Sequence, residues 1–117
     1  KEGDEYTILS LEPTLAPYDL VVLPLFDKDG MDVMAREILY EIGSISGVIA
    51  EIDTSRSIGR RYARADEIGI PWAVTVDHQS LDDGSLTIRR RDDQSQIRID
   101  VGTLIECLTS KTLHTLF

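Results

Sequence analysis

The chain has 117 residues, a formal net charge of −9 and an apolar fraction of 42%. That length fits one domain with a single hydrophobic core and is too short for a multidomain enzyme. The longest apolar run, Leu20 to Phe26, contains a proline and is far shorter than the roughly 20 residues of a membrane helix, so we expect no membrane partner. The single cysteine, Cys107, excludes an intramolecular disulfide and is predicted to be a buried, unreactive thiol.

Prolines set the beginning of the chain apart from the rest. Residues 1–17 are predicted to be an extended N-terminal segment ending in a rigid linker that contains Pro13 and Pro17. Residues 18–117 are predicted to form the folded domain. Because the chain starts at Lys1 rather than at Met and shows no signal-peptide pattern, we expect a fragment of a longer protein.

The first half of the domain alternates strand and helix patterns. Asp19 to Leu25 is predicted to be a buried strand, because an apolar run of strand length begins at Leu20. A turn at Asp27 to Gly30 leads into a helix, with Asp29 or Asp32 as its predicted N-cap. The apolar residues of this helix recur at helical spacing, at Met31, Met34, Ala35, Ile38 and Ile42. A second strand and a second helix follow, at Val48 to Ile52 and Ser57 to Ile68.

The second half of the domain is predicted to be a meander of strands followed by a helix. Trp72 to Asp77 is predicted to be a strand and His78 to Ser85 a loop. Two alternating strands follow, at Leu86 to Arg91 and Gln96 to Val101. Asp100 is the predicted cap of the last helix. Right-handed crossovers make the first three strands parallel and place the first two helices on opposite faces. The fourth strand is antiparallel. The predicted fold class is therefore α/β, with three α/β/α layers around a mixed five-stranded sheet.

Positive charge is concentrated on two elements of this acidic chain. On the strand Leu86 to Arg91, Thr87, Arg89 and Arg91 share one face. Two rows of guanidinium groups indicate an anionic partner, because the guanidinium fork fits phosphates and base edges. The alternative is a solvated face crossed by ion pairs such as Arg64 with Glu67. The row on the second helix lies opposite an apolar arc and consists of Arg56, Arg60, Arg61 and Arg64.

Short polar and aromatic side chains extend this candidate site. Ser55 or Ser57 is the expected N-cap of the second helix, which carries the arginine row. If the anionic partner is a nucleic acid, a carboxylate can recognise cytosine, because it accepts a hydrogen bond from the exocyclic amine of that base. Trp72 and Tyr62 are candidates either for base stacking or for the core. The short polar groups near strand ends are Asp53, Ser55, Ser57, Thr75 and Asp77.

A different chemistry is suggested by Asp27-Lys28-Asp29-Gly30. A strand ending in this pattern resembles the aspartyl nucleophile motif of haloacid-dehalogenase-type phosphotransferases, with Asp92 and Asp93 as a metal pair. We rank this alternative third, because Met31 stands where that motif has threonine and a turn accounts for the aspartates. With two histidines and one cysteine, we predict no metal site.

Four stretches of the sequence together resemble one family. They are Ile-Gly-Arg-Arg-Tyr at Ile58 to Tyr62, Asp-Glu-Ile-Gly at Asp66 to Gly69, Val-Thr-Val-Asp at Val74 to Asp77, and the arginine strand Thr87 to Asp92. This set resembles the C-terminal anticodon-binding domain of archaeal and eukaryotic-type glycyl-tRNA synthetases, which are class II enzymes. The resemblance implies the strand order 2-1-3-4-5. Two positions depart from the family pattern, since Arg56 replaces a glycine and Arg90 an acidic residue.

The resemblance also implies a function. The parent protein would attach glycine to its tRNA with ATP and Mg²⁺, and this domain would grip the cytosines of the glycine anticodon. The catalytic domain would lie elsewhere in the same chain, so the fragment would be non-catalytic and without a cofactor, and the parent would be a cytoplasmic homodimer. The candidate RNA contacts are Arg56, Arg60, Arg64, Arg89, Arg91, Asp53, Ser55 and Asp77. The alternative is a synthetase-like paralogue that serves as a nucleic-acid-binding or protein-interaction module, as in the accessory subunit of the mitochondrial DNA polymerase.

Overall fold

The computed structural model describes residues 18–54 and 57–117, so the N-terminal segment predicted for residues 1–17 lies outside the described residues. No helix in the described ranges is long and apolar enough to cross a membrane. The strands are β1 (Leu20–Pro24), β2 (Ala50–Ile52), β3 (Trp72–Val76), β4 (Ser85–Arg90) and β5 (Gln96–Asp100). The helices are α1 (Met31–Gly43), α2 (Ile58–Glu67), α3 (His78–Asp83), α4 (Val101–Ser110) and a final 3-10 helix at Leu113–Leu116.

The strands form one mixed sheet in the order β2-β1-β3-β4-β5. β1 pairs in parallel with β2 and β3, whereas the β3–β4 and β4–β5 pairs are antiparallel. The predicted strand order and the antiparallel fourth strand are confirmed. The carboxyl ends of β1, β2 and β3 meet the start of β4 at one edge of the sheet, which we call the carboxyl edge.

Each face of the sheet has its own apolar core. α1 and α4 cover one face and α2 covers the other, as predicted for the first two helices. β1 supplies both cores, because Leu20 and Val22 face α1 while Val21 and Leu23 face α2. Cys107 is a half-buried free thiol that packs against the α1-side core.

The start of α1 differs from the prediction. Gly30 occupies the N-cap with a φ of 92°, and no side chain caps the helix. Asp29 precedes it with a φ of 60°, so this turn needs two consecutive left-handed residues, which Asp and Gly adopt most readily. Asp32 lies inside the first turn of the helix. The prediction of Asp29 or Asp32 as the cap is therefore wrong.

The predicted loop from His78 to Ser85 is also wrong, because it contains helix α3. Asp77 accepts a hydrogen bond from the Ser80 amide at 3.1 Å, and the Ser80 hydroxyl lies 3.0 Å from the Asp77 amide. This reciprocal capping box stabilises one short helix, which Gly84 ends with a φ of 72°. The predicted cap of α4 is confirmed, since Asp100 accepts from the Thr103 amide at 2.9 Å.

The left-handed conformation of Gly84 at the end of α3 can be tested through its effect on stability. Gly84→Ala should lower the free energy of unfolding by about 1–2 kcal/mol, because alanine is strained at a φ of 72°. Gly43→Ala is the matched control, because Gly43 is helical and an added Cβ meets no atom within 4 Å. It should raise stability by up to about 1 kcal/mol. Urea denaturation of both variants measures the difference, and effects of the same sign would contradict the assigned backbone conformations.

Candidate nucleic-acid interface

α2 covers only part of the sheet face on which it lies. The core beneath α2 draws its strand residues from β1 and β3, and no helix in the described part of the chain covers the same face of β4 and β5. On that face the register places Thr87 opposite Arg98 and Arg89 opposite Gln96. The alternate residues of both strands point into the other core. We call these four polar residues the open face.

Arg89 is the best-buried member of the open face. Its two terminal nitrogens donate to the two carboxylate oxygens of Asp66, each at 2.9 Å. Its guanidinium also lies 4.9 Å from the centre of the Tyr62 ring. The hydrogen bonds that Arg89 donates to Asp66 raise the pKa of Arg89, and only 9% of its side chain is exposed. Arg89, a predicted RNA contact, thus joins β4 to α2, and binding RNA would require it to leave Asp66.

Arg91 is the predicted strand arginine that stays accessible. Its Nε donates to the backbone oxygen of Asp66 at 2.9 Å, at the end of α2. Its backbone amide donates to Pro71 at 2.9 Å. The side chain is otherwise exposed, so its two terminal nitrogens are oriented by the contact at Nε and remain available to a ligand.

The two predicted arginine rows lie on opposite flanks of α2. Arg64 donates to Glu51 at 2.6 Å and lies 3.4 Å from Asp53, which places it beside β2. Arg60, one helical turn earlier on this flank, is exposed and makes no hydrogen bond or ion pair with the described residues. Arg89 and Arg91 lie on the β4 flank. The structure therefore does not bring these two groups into one surface.

The other residues that were predicted as RNA contacts or caps near the start of α2 do not share one environment. Asp53 is 6% exposed beside Arg64. Ser57 occupies the N-cap, although its side chain makes no capping hydrogen bond. Ser55 and Arg56 lie outside the described residues.

Arg61 was predicted to share the arginine row opposite the apolar arc of α2, and this prediction is wrong, because its side chain turns inward and is only 4% exposed. Its Nη1 donates to the carbonyl oxygens of Pro24 at 2.7 Å and Asp53 at 2.8 Å, and its Nη2 donates to that of Leu25 at 3.3 Å. Burial lowers the pKa of Arg61, and the charge of Asp53 partly offsets this. One side chain thereby connects α2 with the ends of β1 and β2.

The sequence did contain a signal for this inward orientation. Arg61 lies three residues after Ile58 and four before Ala65, so helical spacing puts it on the apolar arc. Arg60, its neighbour, lies about 100° away around the helix. The pair of arginines therefore combines one outward and one inward side chain.

Asp77 and Arg98 form a second polar cluster, at the carboxyl edge. Arg98 pairs with the Asp77 carboxylate, donates to the Ser85 hydroxyl at 2.6 Å and lies 3.2 Å from the Thr87 hydroxyl. Its side chain is 30% exposed. Arg98 was not among the predicted RNA contacts, although its alternation with Ile97 and Ile99 places it on the polar side of β5.

The two aromatic residues considered for stacking are occupied within the domain. The Tyr62 hydroxyl is hydrogen-bonded to that of Thr75, and the Tyr62 ring lies against the α2-side core. Trp72 packs on Phe117 with ring centres 5.3 Å apart, on the other side of the sheet. Arg90 lies over Phe117 at 5.0 Å, at the rim of that core.

The dehalogenase-like alternative does not agree with the topology. Asp27 and Asp29 follow β1 at the carboxyl edge, whereas Asp92 and Asp93 follow the antiparallel strand β4 at the opposite edge. These carboxylates are therefore on different sides of the domain. Within the described residues, no group of three or more His, Cys, Asp or Glu could hold a metal ion.

Comparisons with known proteins agree with the anticipated family. A family model described as "Anticodon binding domain" matches residues 19–111. The glycine–tRNA ligase of Methanothermobacter thermautotrophicus is 51% identical over 107 residues, covering 92% of this chain and 19% of that protein. The glycine–tRNA ligase of Borrelia hermsii is 37% identical over 112 residues, covering 96% and 25%. The chain thus spans about a fifth to a quarter of the length of these curated relatives.

A solved structure supports the fold alone. The RNA binding domain of threonyl-tRNA synthetase from Cryptosporidium parvum Iowa II aligns with a TM-score of 0.74 and 20% sequence identity. The alignment covers 89% of this chain and 26% of that chain.

Replacement of buried Arg61 should affect stability much more than replacement of its exposed neighbour Arg60. Arg61→Ala should lower the free energy of unfolding by about 2–5 kcal/mol, because it leaves three carbonyl oxygens without their donor. The matched control Arg60→Ala should change stability by less than about 0.5 kcal/mol, because that side chain is exposed. Chemical denaturation measures both, and similar losses in the two variants would contradict the inward position of Arg61.

The Asp77–Arg98 pair should make stability depend on pH. Burial alone would raise the pKa of Asp77, but hydrogen bonds from Arg98 and Ser80 outweigh it and lower the pKa. The stabilisation is therefore complete above the ordinary pKa of about 3.9 and is lost as the pH falls through the lower folded value. Wild type should be more stable than Asp77→Asn near neutral pH, and the two should converge in acid. A difference that stays constant with pH would refute this linkage.

Proposed function

Because this chain belongs to the anticodon binding domain family, we propose that it is the anticodon-reading part of a glycine–tRNA ligase and that the open face meets the anticodon. The 51% identity to one such ligase supports the glycine assignment. Transfer RNA is the partner that an anticodon-binding domain requires. The carboxyl edge and the open face together supply the side chains for reading bases.

The observation that carries the proposal is the Asp77–Arg98 pair. A carboxylate acceptor here lies directly beside guanidinium donors, and both side chains are partly exposed. Cytosine presents the complementary arrangement, because its amine donates while its neighbouring ring nitrogen and oxygen accept. The glycine anticodon contains the cytosines that this pair would recognise.

Phosphate contacts would come from a different part of the surface. Arg91 presents free terminal nitrogens beside the open face, whereas most of this domain is acidic, with a net charge of −9. A local cation on an acidic protein disfavours indiscriminate binding of polyanions and still holds a correctly docked one. Phosphate contacts would position the RNA, and base contacts would supply specificity.

The rest of the parent protein carries the other proposed functions. We place the catalytic domain, with its ATP and Mg²⁺, in the part of the ligase that this chain does not span. That domain would join glycine to the tRNA held here. We further propose a homodimeric parent in the cytoplasm.

Titration of the chain with an anticodon stem-loop RNA tests the assignment of roles. Arg98→Ala should weaken binding by about 1–3 kcal/mol and reduce the preference for cytosine over uracil in the anticodon. Arg91→Ala should reduce the slope of log K against log salt by about one without changing that preference. Arg36→Ala is the control, because Arg36 is an exposed arginine on α1, behind the sheet, and its loss should change neither quantity.

Two results would count against the proposal. Equal affinity for stem-loops with and without the anticodon cytosines would refute anticodon reading and favour a general nucleic-acid-binding module. Unchanged binding by both Arg98→Ala and Arg91→Ala, with normal melting temperatures, would remove the open face as the RNA site.

A further inference from the structure

An RNA loop read at its base edges also needs surfaces on which bases can stack. Tyr62 and Trp72 are engaged inside the domain. Tyr40 is 84% exposed, but it lies on the outer side of α1, opposite that helix's buried residues. At the carboxyl edge, the ring of Phe26 is 47% exposed.

Two other side chains lie next to the Phe26 ring. Its ring centre lies 6.1 Å from that of His78, at an interplanar angle of 54°. The Lys28 ammonium lies 5.8 Å from the Phe26 ring centre. A large apolar ring that stays exposed beside a second ring and a cation has the composition of a nucleobase-stacking site.

The backbone that carries both rings is anchored by hydrogen bonds. The Leu25 amide donates to the Val76 carbonyl at 2.8 Å, which joins the residue before Phe26 to the end of β3. The Leu25 carbonyl accepts from buried Arg61 at 3.3 Å. His78 is the first residue of α3 and directly follows its cap, Asp77. A platform fixed in this way loses little conformational entropy when a base stacks on it.

We infer that Phe26 and His78 form a stacking site for an unpaired base adjacent to the one read by Asp77 and Arg98. This inference rests on the proposed function and adds a second base contact to it. His78 follows Asp77 in the chain, so the stacked base would lie close to the base that Asp77 reads. Asp27 and Asp29 lie close to Phe26 in the chain, and Asp82 lies in the same helix as His78, so this acidic neighbourhood suits the uncharged face of a base rather than a phosphate.

The test is a titration of the chain with the same anticodon stem-loop. Phe26→Ala should weaken binding about 5- to 100-fold, with an unchanged salt slope, because stacking releases no counterions. Phe26→Trp should bind like wild type. Tyr40→Ala is the control for loss of an exposed aromatic ring and should have no effect. If Phe26→Ala does not fold, Phe26→Leu keeps the apolar bulk, removes the aromatic face and should show the same loss.

Abasic RNAs locate the stacked base. In a series of stem-loops with one abasic loop nucleotide each, one RNA should bind wild type and Phe26→Ala equally, since its partner base is already missing. Losses in Phe26→Ala of the same size for every RNA would overturn the inference. If Arg98→Ala weakens binding while folded Phe26→Ala or Phe26→Leu does not, the stacking site is refuted and the proposed function stands. If wild type binds no stem-loop selectively, both are refuted.

Discussion

The carboxyl edge of this sheet depends on one buried guanidinium. Arg61 donates to the carbonyl oxygens of Pro24, Leu25 and Asp53, which belong to chain segments that leave neighbouring strands. A lysine could not replace it, because only the planar guanidinium presents several fixed donors that reach separate acceptors. Since parallel strands end here without hairpins, their last carbonyls need partners from elsewhere. The backbone leading to Phe26 is held by this contact.

A second anchor fixes the other end of α2. Asp66 binds Arg89 through both carboxylate oxygens and accepts from Arg91 through its backbone oxygen. The helix is thus fastened to β1 and β2 near its start and to β4 near its end. It lies over the parallel half of the sheet, and the polar side of β4 and β5 is left open. Several arginines of this acidic chain therefore organise the fold, and fewer remain for a ligand.

Local patterns in the sequence predicted most of the fold. The apolar spacing of α1, the alternation in β4 and β5, and the crossover rule together predicted a mixed sheet between helices, whereas the order of its strands came from the family resemblance. Helix α3 was missed because six residues are too few to show a helical period, and its stability comes from the pairing of Asp77 with Ser80. The cap of α1 was missed because two left-handed residues, Asp29 and Gly30, replace a side-chain cap.

The candidate site was less predictable, because it depends on which residues meet across the fold. Sequence spacing placed Arg89 on the polar side of β4, but nothing local shows that Asp66 meets it from α2. In the same way, Arg64 and Arg91 belong to similar clusters in the sequence and lie on opposite flanks of one helix. The pairing of Asp77 with Arg98 joins residues 21 positions apart. Such long-range pairs follow only from how the helices and strands pack together.

The most direct test of the account is the position of bound RNA on the domain. Backbone amide NMR spectra of isotope-labelled chain, recorded while an anticodon stem-loop is added, report which residues change environment. We expect the largest shifts along β4 and β5 and around Asp77, with small shifts in β2 and along the Arg60–Arg64 flank of α2. Largest shifts on β2 and that flank, with β4 and β5 unchanged, would contradict it.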